Sequence, residues 1–201
     1  MRISVLTSVF RLRKSLVPTS LAAAVLFAAS PATAAPILFS GALAPEVVGA
    51  PGTGWADIWF DPVAHTMRVE ATFSGLSGNT TVSHIHCCTT DPGVGNAGVA
   101  TQVPTFVGFP SGVTSGTYVH TFDMTDAASY DPSFITANGG TTGAEAVLLA
   151  GLQTGRAYLN IHSSTFPGGE IRARLTAVPE PASLLLLGTA LAGLALRRRR
   201  A

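Results

Sequence analysis

Two stretches in which apolar and polar residues alternate strictly constrain this chain more than any other feature. Residues 66–73 read TMRVEATF and residues 170–175 read EIRARL, so every second side chain is apolar in both. Successive side chains of a β-strand point to opposite faces, and an apolar face must be buried against another layer. Both stretches are therefore predicted as half-buried strands, with Glu170, Arg172 and Arg174 on the polar outer face of the second.

Shorter strand candidates complete a β-rich pattern. They are residues 37–43, 55–60, 80–86, 116–123 and 156–162, and turn-forming Gly, Pro, Asp and Asn separate most of them. Short strands at this spacing predict an all-β fold, an antiparallel β-sandwich of about seven to eight strands with Greek-key-like connections. Good helix formers over 144–152 predict one short helix, and residues 126–143 are expected to form a long loop.

The first 34 residues have the layout of an export signal. Four basic residues lie within 1–14, an apolar run spans 16–29, and small residues precede Ala34. This layout predicts a signal peptide that signal peptidase removes after Ala34. A membrane anchor is the alternative, but the apolar run holds Pro18, Thr19 and Ser20 and is shorter than the roughly 20 residues of a spanning helix.

The other end carries three features in order. An apolar run over 182–196 follows Pro179, Glu180 and Pro181 and precedes four arginines, Arg197, Arg198, Arg199 and Arg200. A helix of that run is about 22 Å long, which is short for a hydrocarbon core of about 30 Å, and arginines are held on the cytoplasmic side of a membrane. The tail is therefore predicted to be a transient anchor, with the preceding residues outside the cytoplasm. A permanent anchor is the alternative.

This order of motif, apolar helix and basic end resembles the PEP-CTERM sorting signal of Gram-negative bacteria. The resemblance covers residues 178–201 and implies that an exosortase-type transpeptidase cuts near residues 179–181, while the tail sits in the inner membrane. It further implies delivery to the cell envelope, the outer surface or an exopolysaccharide matrix. The predicted organisation is a signal peptide (1–34), an exported domain (35–177) and a sorting signal (178–201).

The charges of the predicted exported domain differ from those of the whole chain. Residues 35–177 hold four arginines, no lysine and ten acidic residues, a net charge of −6, whereas the whole chain is at +1. Nucleic acids and anionic lipids are bound by clustered cations. The domain is therefore not expected to bind either of them.

Three histidines form the candidate metal site. His84 and His86 are two residues apart on a predicted strand, so both imidazoles project from one face, and His162 ends another strand with Tyr158 and Asn160 on its face. Three imidazoles are suited to copper or zinc. Because nothing in the sequence brings the two strands together, hydrogen-bonded structural histidines at the edge of the sandwich are favoured over a metal site.

A second resemblance rests on the same segments. The residues HIH at 84–86, YLNIHS at 158–163 and PGGEIR at 167–172 resemble the CHRD domain, a family named for the repeats of chordin and found in many secreted bacterial proteins. The resemblance covers most of residues 37–175. It implies an extracellular β-rich module, and it implies no particular activity because the family has no established general role.

The His-x-His strand is also similar to the copper strand of Cu/Zn superoxide dismutases, which are β-sandwiches. This chain departs from them because no histidine lies between His86 and His120, where the zinc-bridging ligands should follow. The sequence also lacks the Gly-x-Ser-x-Gly elbow, the phosphate loop and the His-Glu-x-x-His helix. It therefore favours a non-enzymatic module, structural or adhesive in the extracellular matrix, over a periplasmic or extracellular copper-binding or redox protein.

Two adjacent cysteines, Cys87 and Cys88, directly follow the histidines in a compartment where thiols are usually oxidised. Adjacent trans residues are about 3.8 Å apart at Cα, below the usual disulfide range of about 4.4–6.8 Å, so a bond between them would be strained and easily reduced. Three interpretations stay open: such a vicinal disulfide, thiolate ligands for copper beside His86, or pairing with another chain. A buried pair of reduced thiols with a purely structural role is the alternative to all three.

A few further residues are interpreted as structural. Trp55 and Trp59 share a strand face with Asp57, and core packing is favoured over a carbohydrate-binding platform. Glu170 and its neighbouring arginines are expected to form cross-strand pairs with residues such as Glu70. Glu145 is expected to be solvated.

Overall fold

The computed structural model describes residues 35–179, together with helical residues 188, 191, 194, 195, 197 and 198. The predicted signal peptide and most of the predicted sorting segment lie outside the described residues. Within the described part, no helix has the length and apolar character that crossing a membrane requires. The strands are β1 Ile37–Pro45, β2 Thr53–Asp61, β3 Thr66–Ser74, β4 Thr80–His86, β5 Gly116–Asp123, β6 Tyr158–Ser163, β7 Ile171–Arg174 and β8 Thr176–Ala177, and two α-helices, α1 Pro132–Ala137 and α2 Thr141–Gln153, lie between β5 and β6.

The strands form one antiparallel hydrogen-bonded sheet in the order β4-β6-β7-β1-β2-β3-β5, with β8 paired to β1. Ile85 and Ile161 from one half of this order and Ile58 and Val69 from the other half belong to a single buried apolar cluster. The sheet therefore curls around one core and buries its apolar face there. The predicted antiparallel β-sandwich is confirmed, and its two layers are the two halves of a continuous sheet.

Alternation in the sequence locates most of these strands. β4 and β5 have the predicted bounds, and β3 extends the predicted strand by one residue. β8 is absent from the prediction because two residues carry no period. The predicted short helix is confirmed as α2, whose Ala144, Leu148 and Leu152 pack into the core at a helical spacing.

The prediction of a long loop over residues 126–143 is wrong. A 3₁₀ turn occupies Ala127–Ser129, α1 follows it, and the first residues of α2 complete the segment. Asp126 and Asp131 cap the two short elements, because each carboxylate accepts the backbone N–H two residues further on. An aspartate followed by proline at the first helical position was the available sequence signal.

The prediction that the tryptophans pack in the core is also wrong. Ala56, Ile58 and Phe60 of β2 are the core-facing residues, so the intervening side chains lie on the outer face of the sheet. Trp55 is 50% exposed and Trp59 is half-buried there. The strand period was read correctly, but the larger side chains were assigned to the wrong face.

Two carboxylates predicted to face solvent are buried. Glu170 precedes β7 and is completely buried, and its Oε1 accepts hydrogen bonds from the backbone N–H (2.7 Å) and the hydroxyl (3.0 Å) of Ser77. Glu145 in α2 is 7% exposed and accepts a 2.9 Å hydrogen bond from Nδ1 of His65. Partners distant in sequence hydrogen-bond both carboxylates, although Oε2 of Glu170 has no partner among the described residues. Such partners leave no trace in local sequence.

The expected pairing of the β7 segment with Glu70 is not formed. Glu70 accepts from Arg68 on its own strand, and Arg172 donates to Glu46 at the end of β1. The sheet order explains this outcome, because β1 and β2 separate β7 from β3.

Candidate metal centre

The structure brings His84, His86 and His162 together on the outer face of the β4–β6 pair. The two strands are antiparallel, with His84 opposite Asn160 and His86 opposite Tyr158. One ring nitrogen from each histidine lies within 4.8 Å of those of the other two, and the ring centroids are 5.7–6.4 Å apart. The sequence spacing predicted the first pair, and the strand pairing adds the third histidine.

Backbone carbonyls fix one nitrogen of each imidazole. Nε2 of His84 lies 2.7 Å from the Pro104 carbonyl oxygen, and Nδ1 of His86 lies 2.9 Å from that of Ala97. Nδ1 of His162 lies 2.7 Å from the carbonyl oxygen of Pro167. A carbonyl can only accept, so each of these nitrogens carries the proton. The second nitrogen of each neutral ring therefore holds a free lone pair.

In the side-chain orientations of the structure, these lone pairs have no donor among the described residues. Nδ1 of His84 is buried and has no hydrogen-bond partner among the described residues. Nε2 of His86 and Nε2 of His162 lie 3.0 and 3.1 Å from the side-chain oxygen of Asn160, which is itself an acceptor. Two lone pairs facing an oxygen repel it. The conflict disappears if the amide turns its nitrogen toward the rings, or if a cation lies between them.

Burial keeps two of the rings neutral. It lowers the pKa of His84 to about 4, although the Pro104 carbonyl opposes the shift, and the nearby His86 and His162 lower it further. Burial also lowers the pKa of His86, with the positive charge of Arg172 acting in the same direction. Both imidazoles are therefore uncharged at neutral pH, with one N–H and one free lone pair, which is the form that binds metals.

The geometry fits a three-histidine metal centre after a small contraction. Metal–nitrogen bonds are about 2.0–2.1 Å, so tetrahedral ligand nitrogens lie about 3.4 Å apart. The three nitrogens lie within 4.8 Å of one another, which side-chain rotations can close. Metal-bound histidines almost always donate their other N–H to a carbonyl or carboxylate, and all three of these rings do so.

A second set of residues, which the sequence analysis did not identify, supports the centre. The Tyr158 ring stacks on His86, with centroids 4.8 Å apart and planes 5° from parallel. The guanidinium of Arg172 lies 3.8 Å from the centre of the Tyr158 ring. It donates hydrogen bonds to the backbone carbonyl of Gly95 and the side-chain oxygen of Asn96. These contacts hold the loop whose next residue supplies the carbonyl to His86. The sequence signal for these residues was the strand face that Tyr158 and Asn160 share with His162. The sequence analysis assigned a role in the site only to His162.

The cysteines next to the centre are bonded to each other. Cys87 and Cys88 form a disulfide across a cis peptide bond. Both sulfurs pack on α2 at Gly151, where no side chain intervenes. In this state neither sulfur is a thiolate, so the histidines alone make up the candidate ligand set.

The comparisons with known proteins agree with this architecture. A family model described as the CHRD domain matches residues 37–175, and one described as the PEP-CTERM protein-sorting motif matches residues 177–200. Neither a curated protein nor a solved structure matches the chain. The sorting motif indicates an exported protein that an exosortase-type system recognises and sorts, through a membrane-anchored stage, toward the cell envelope. Since the CHRD model covers more than half of the sequence, the chain belongs to the CHRD domain family.

Proposed function

We propose that this exported protein binds a copper ion through His84, His86 and His162. One observation carries the proposal: three buried or half-buried imidazoles converge, and the outward N–H of each is taken by a backbone carbonyl. The lone pair on Nδ1 of His84 then has no partner among the described residues, and those of His86 and His162 both face the side-chain amide of Asn160. Imidazole nitrogen suits copper and zinc, and copper is the tighter binder of the two at a given nitrogen site.

Metal titration of the purified chain tests this function. We expect one equivalent of Cu(II) to bind, with nitrogen hyperfine coupling in the electron paramagnetic resonance spectrum, and His84→Ala or His162→Ala to abolish it. His120→Ala is the matched control, because His120 lies on β5 and is not one of the three clustered histidines, so its loss should leave binding unchanged. Equal copper uptake by the wild type and His84→Ala would contradict the proposal.

A structural or adhesive role in the extracellular matrix is the second candidate. It is favoured by the two tryptophans on the outer face of the sheet, because exposed aromatic rings are typical of surfaces that bind a partner. The sorting signal delivers such a surface toward the envelope. This role needs no metal.

Complementation separates the two candidates. Cells that lack the protein should form a less cohesive matrix, measured as resistance of the aggregates to shear. If His84→Ala restores cohesion as well as the wild type does, the adhesive role is independent of the histidines. If deletion leaves cohesion unchanged, the adhesive candidate is wrong.

A further inference from the structure

The outer face of β2 and β3 presents both tryptophans of the chain to solvent. The sequence contains only Trp55 and Trp59, and both lie on the same side of β2. Four residues of an extended strand separate them by about 13 Å. We name this surface the tryptophan face and define it by Trp55, Asp57, Trp59, Arg68 and Glu70.

The rings are held in position by polar neighbours. The indole Nε1 of Trp55 donates to Oδ1 of Asp57 at 2.9 Å, and the same oxygen accepts from the hydroxyl of Ser40 on β1. The guanidinium of Arg68 lies over the ring of Trp59, 6.0 Å from its centre. Rings fixed in this way lose little conformational freedom when a ligand stacks on them.

Most of the charges on the tryptophan face compensate one another. Arg68 donates to Glu70 beside it, which leaves Asp57 as the one carboxylate without a counter-ion on this face. The neighbouring outward positions on β3 and β5 are three threonines, Thr72, Thr117 and Thr121, and the exposed Val119 opposite Glu70. Hydroxyls and carboxylates between two aromatic rings make a surface that is alternately apolar and hydrogen-bonding.

We propose that the tryptophan face binds a neutral polysaccharide chain. The C–H faces of sugar rings would stack on Trp55 and Trp59, while sugar hydroxyls would hydrogen-bond to Asp57 and Glu70 between them. The spacing of about 13 Å requires an oligosaccharide of several units, since a single sugar cannot reach both rings. The inference rests on the adhesive candidate and assigns it a ligand class.

Charge and polarity argue against other partners. A polyanion would be repelled, because residues 35–177 carry a net charge of −6. An apolar protein surface or a second copy of this chain would have to bury Asp57, which has no counter-ion on this face, and an unpaired buried carboxylate is costly. A neutral polyhydroxylated chain meets neither obstacle.

Intrinsic fluorescence gives a direct assay, because both tryptophans of the full chain report on this face. We expect hydroxyethyl cellulose or laminarin to shift the emission to shorter wavelength in a saturable way, and anionic alginate to leave it unchanged. Trp55→Ala or Trp59→Ala should weaken binding about two- to tenfold each, measured by affinity electrophoresis. Val63→Ala, an exposed apolar position in the turn after β2, is the control and should bind as the wild type does.

Several results would overturn the inference. These are no response to either neutral polysaccharide, stronger binding to alginate, equal binding by the tryptophan variants, and dimerisation through this face in light scattering. Failure here is distinguishable from failure of the adhesive role. If a Trp55→Ala and Trp59→Ala double variant still restores matrix cohesion in cells, the adhesive role stands and the assigned surface is wrong.

Discussion

Gly151 offers a sharp test of how the disulfide packs against α2. A Cβ at this position would contact Sγ of Cys87 and lie 2.6 Å from Sγ of Cys88. Both contacts are shorter than van der Waals separation, and a bonded sulfur pair cannot swing away as a free side chain would. Replacing Gly by Ala inside a helix stabilises it by about 1 kcal/mol, whereas overpacking costs about 1–3 kcal/mol. Gly151→Ala should therefore lower the free energy of unfolding by up to about 2 kcal/mol.

Removing the sulfurs should reverse the sign of this effect. In a Cys87→Ala and Cys88→Ala background the overpacking disappears, so Gly151→Ala should stabilise the protein by up to about 1 kcal/mol. The coupling between the sites is then about 1–3 kcal/mol, which urea unfolding of the four proteins, followed by circular dichroism, can resolve. The same effect of Gly151→Ala in both backgrounds would refute the packing argument.

Three further perturbations follow from burial and hydrogen bonding. Leu148→Ala removes a fully buried α2 side chain and should lower the free energy of urea unfolding by about 2–5 kcal/mol; a loss below about 1 kcal/mol would remove Leu148 from the core. Glu170→Ala leaves the Ser77 donors without their acceptor and should cost about 1–3 kcal/mol in the same assay, with Glu170→Gln costing less. Because the pKa of His84 falls from 6.5 to about 4 on folding, the unfolded chain takes up its proton first, and the metal-free protein should lose stability as the pH falls from 6.5 toward 4. His84→Gln should flatten this dependence in thermal unfolding, and an unchanged slope would contradict it.

Local periodicity accounts for what could be predicted of the fold. Residues 66–73 alternate over a full strand, and they became β3 with one residue added. The side assigned to Trp55 and Trp59 was wrong because period fixes which residues share a face but not which face is inward. That choice depends on the neighbouring strands, where β1 and β3 present Phe39 and Val69 to the core.

The candidate site was predictable in part for the same reason. The spacing of His84 and His86 placed them on one face. Their proximity to His162 depends on the pairing of β4 with β6, two strands that are distant in sequence. The carbonyls of Ala97 and Pro104 belong to an irregular segment without periodic hydrophobicity. No sequence pattern therefore predicted that they would contact His86 and His84. Sequence reasoning thus found the candidate ligands but not the groups that orient them.

The pairing of β8 with β1 bears on the predicted cleavage near residues 179–181. Thr176 and Ala177 are held in the sheet, and the N–H of Val178 still donates to the Leu38 carbonyl at 2.8 Å. No flexible linker therefore separates Pro179 from the folded domain. A transpeptidase that binds this proline has either to contact the surface of the sheet or to separate β8 from β1 first. The last two residues of the sheet would then set the accessibility of the cut, and extending this spacer with glycines should speed it.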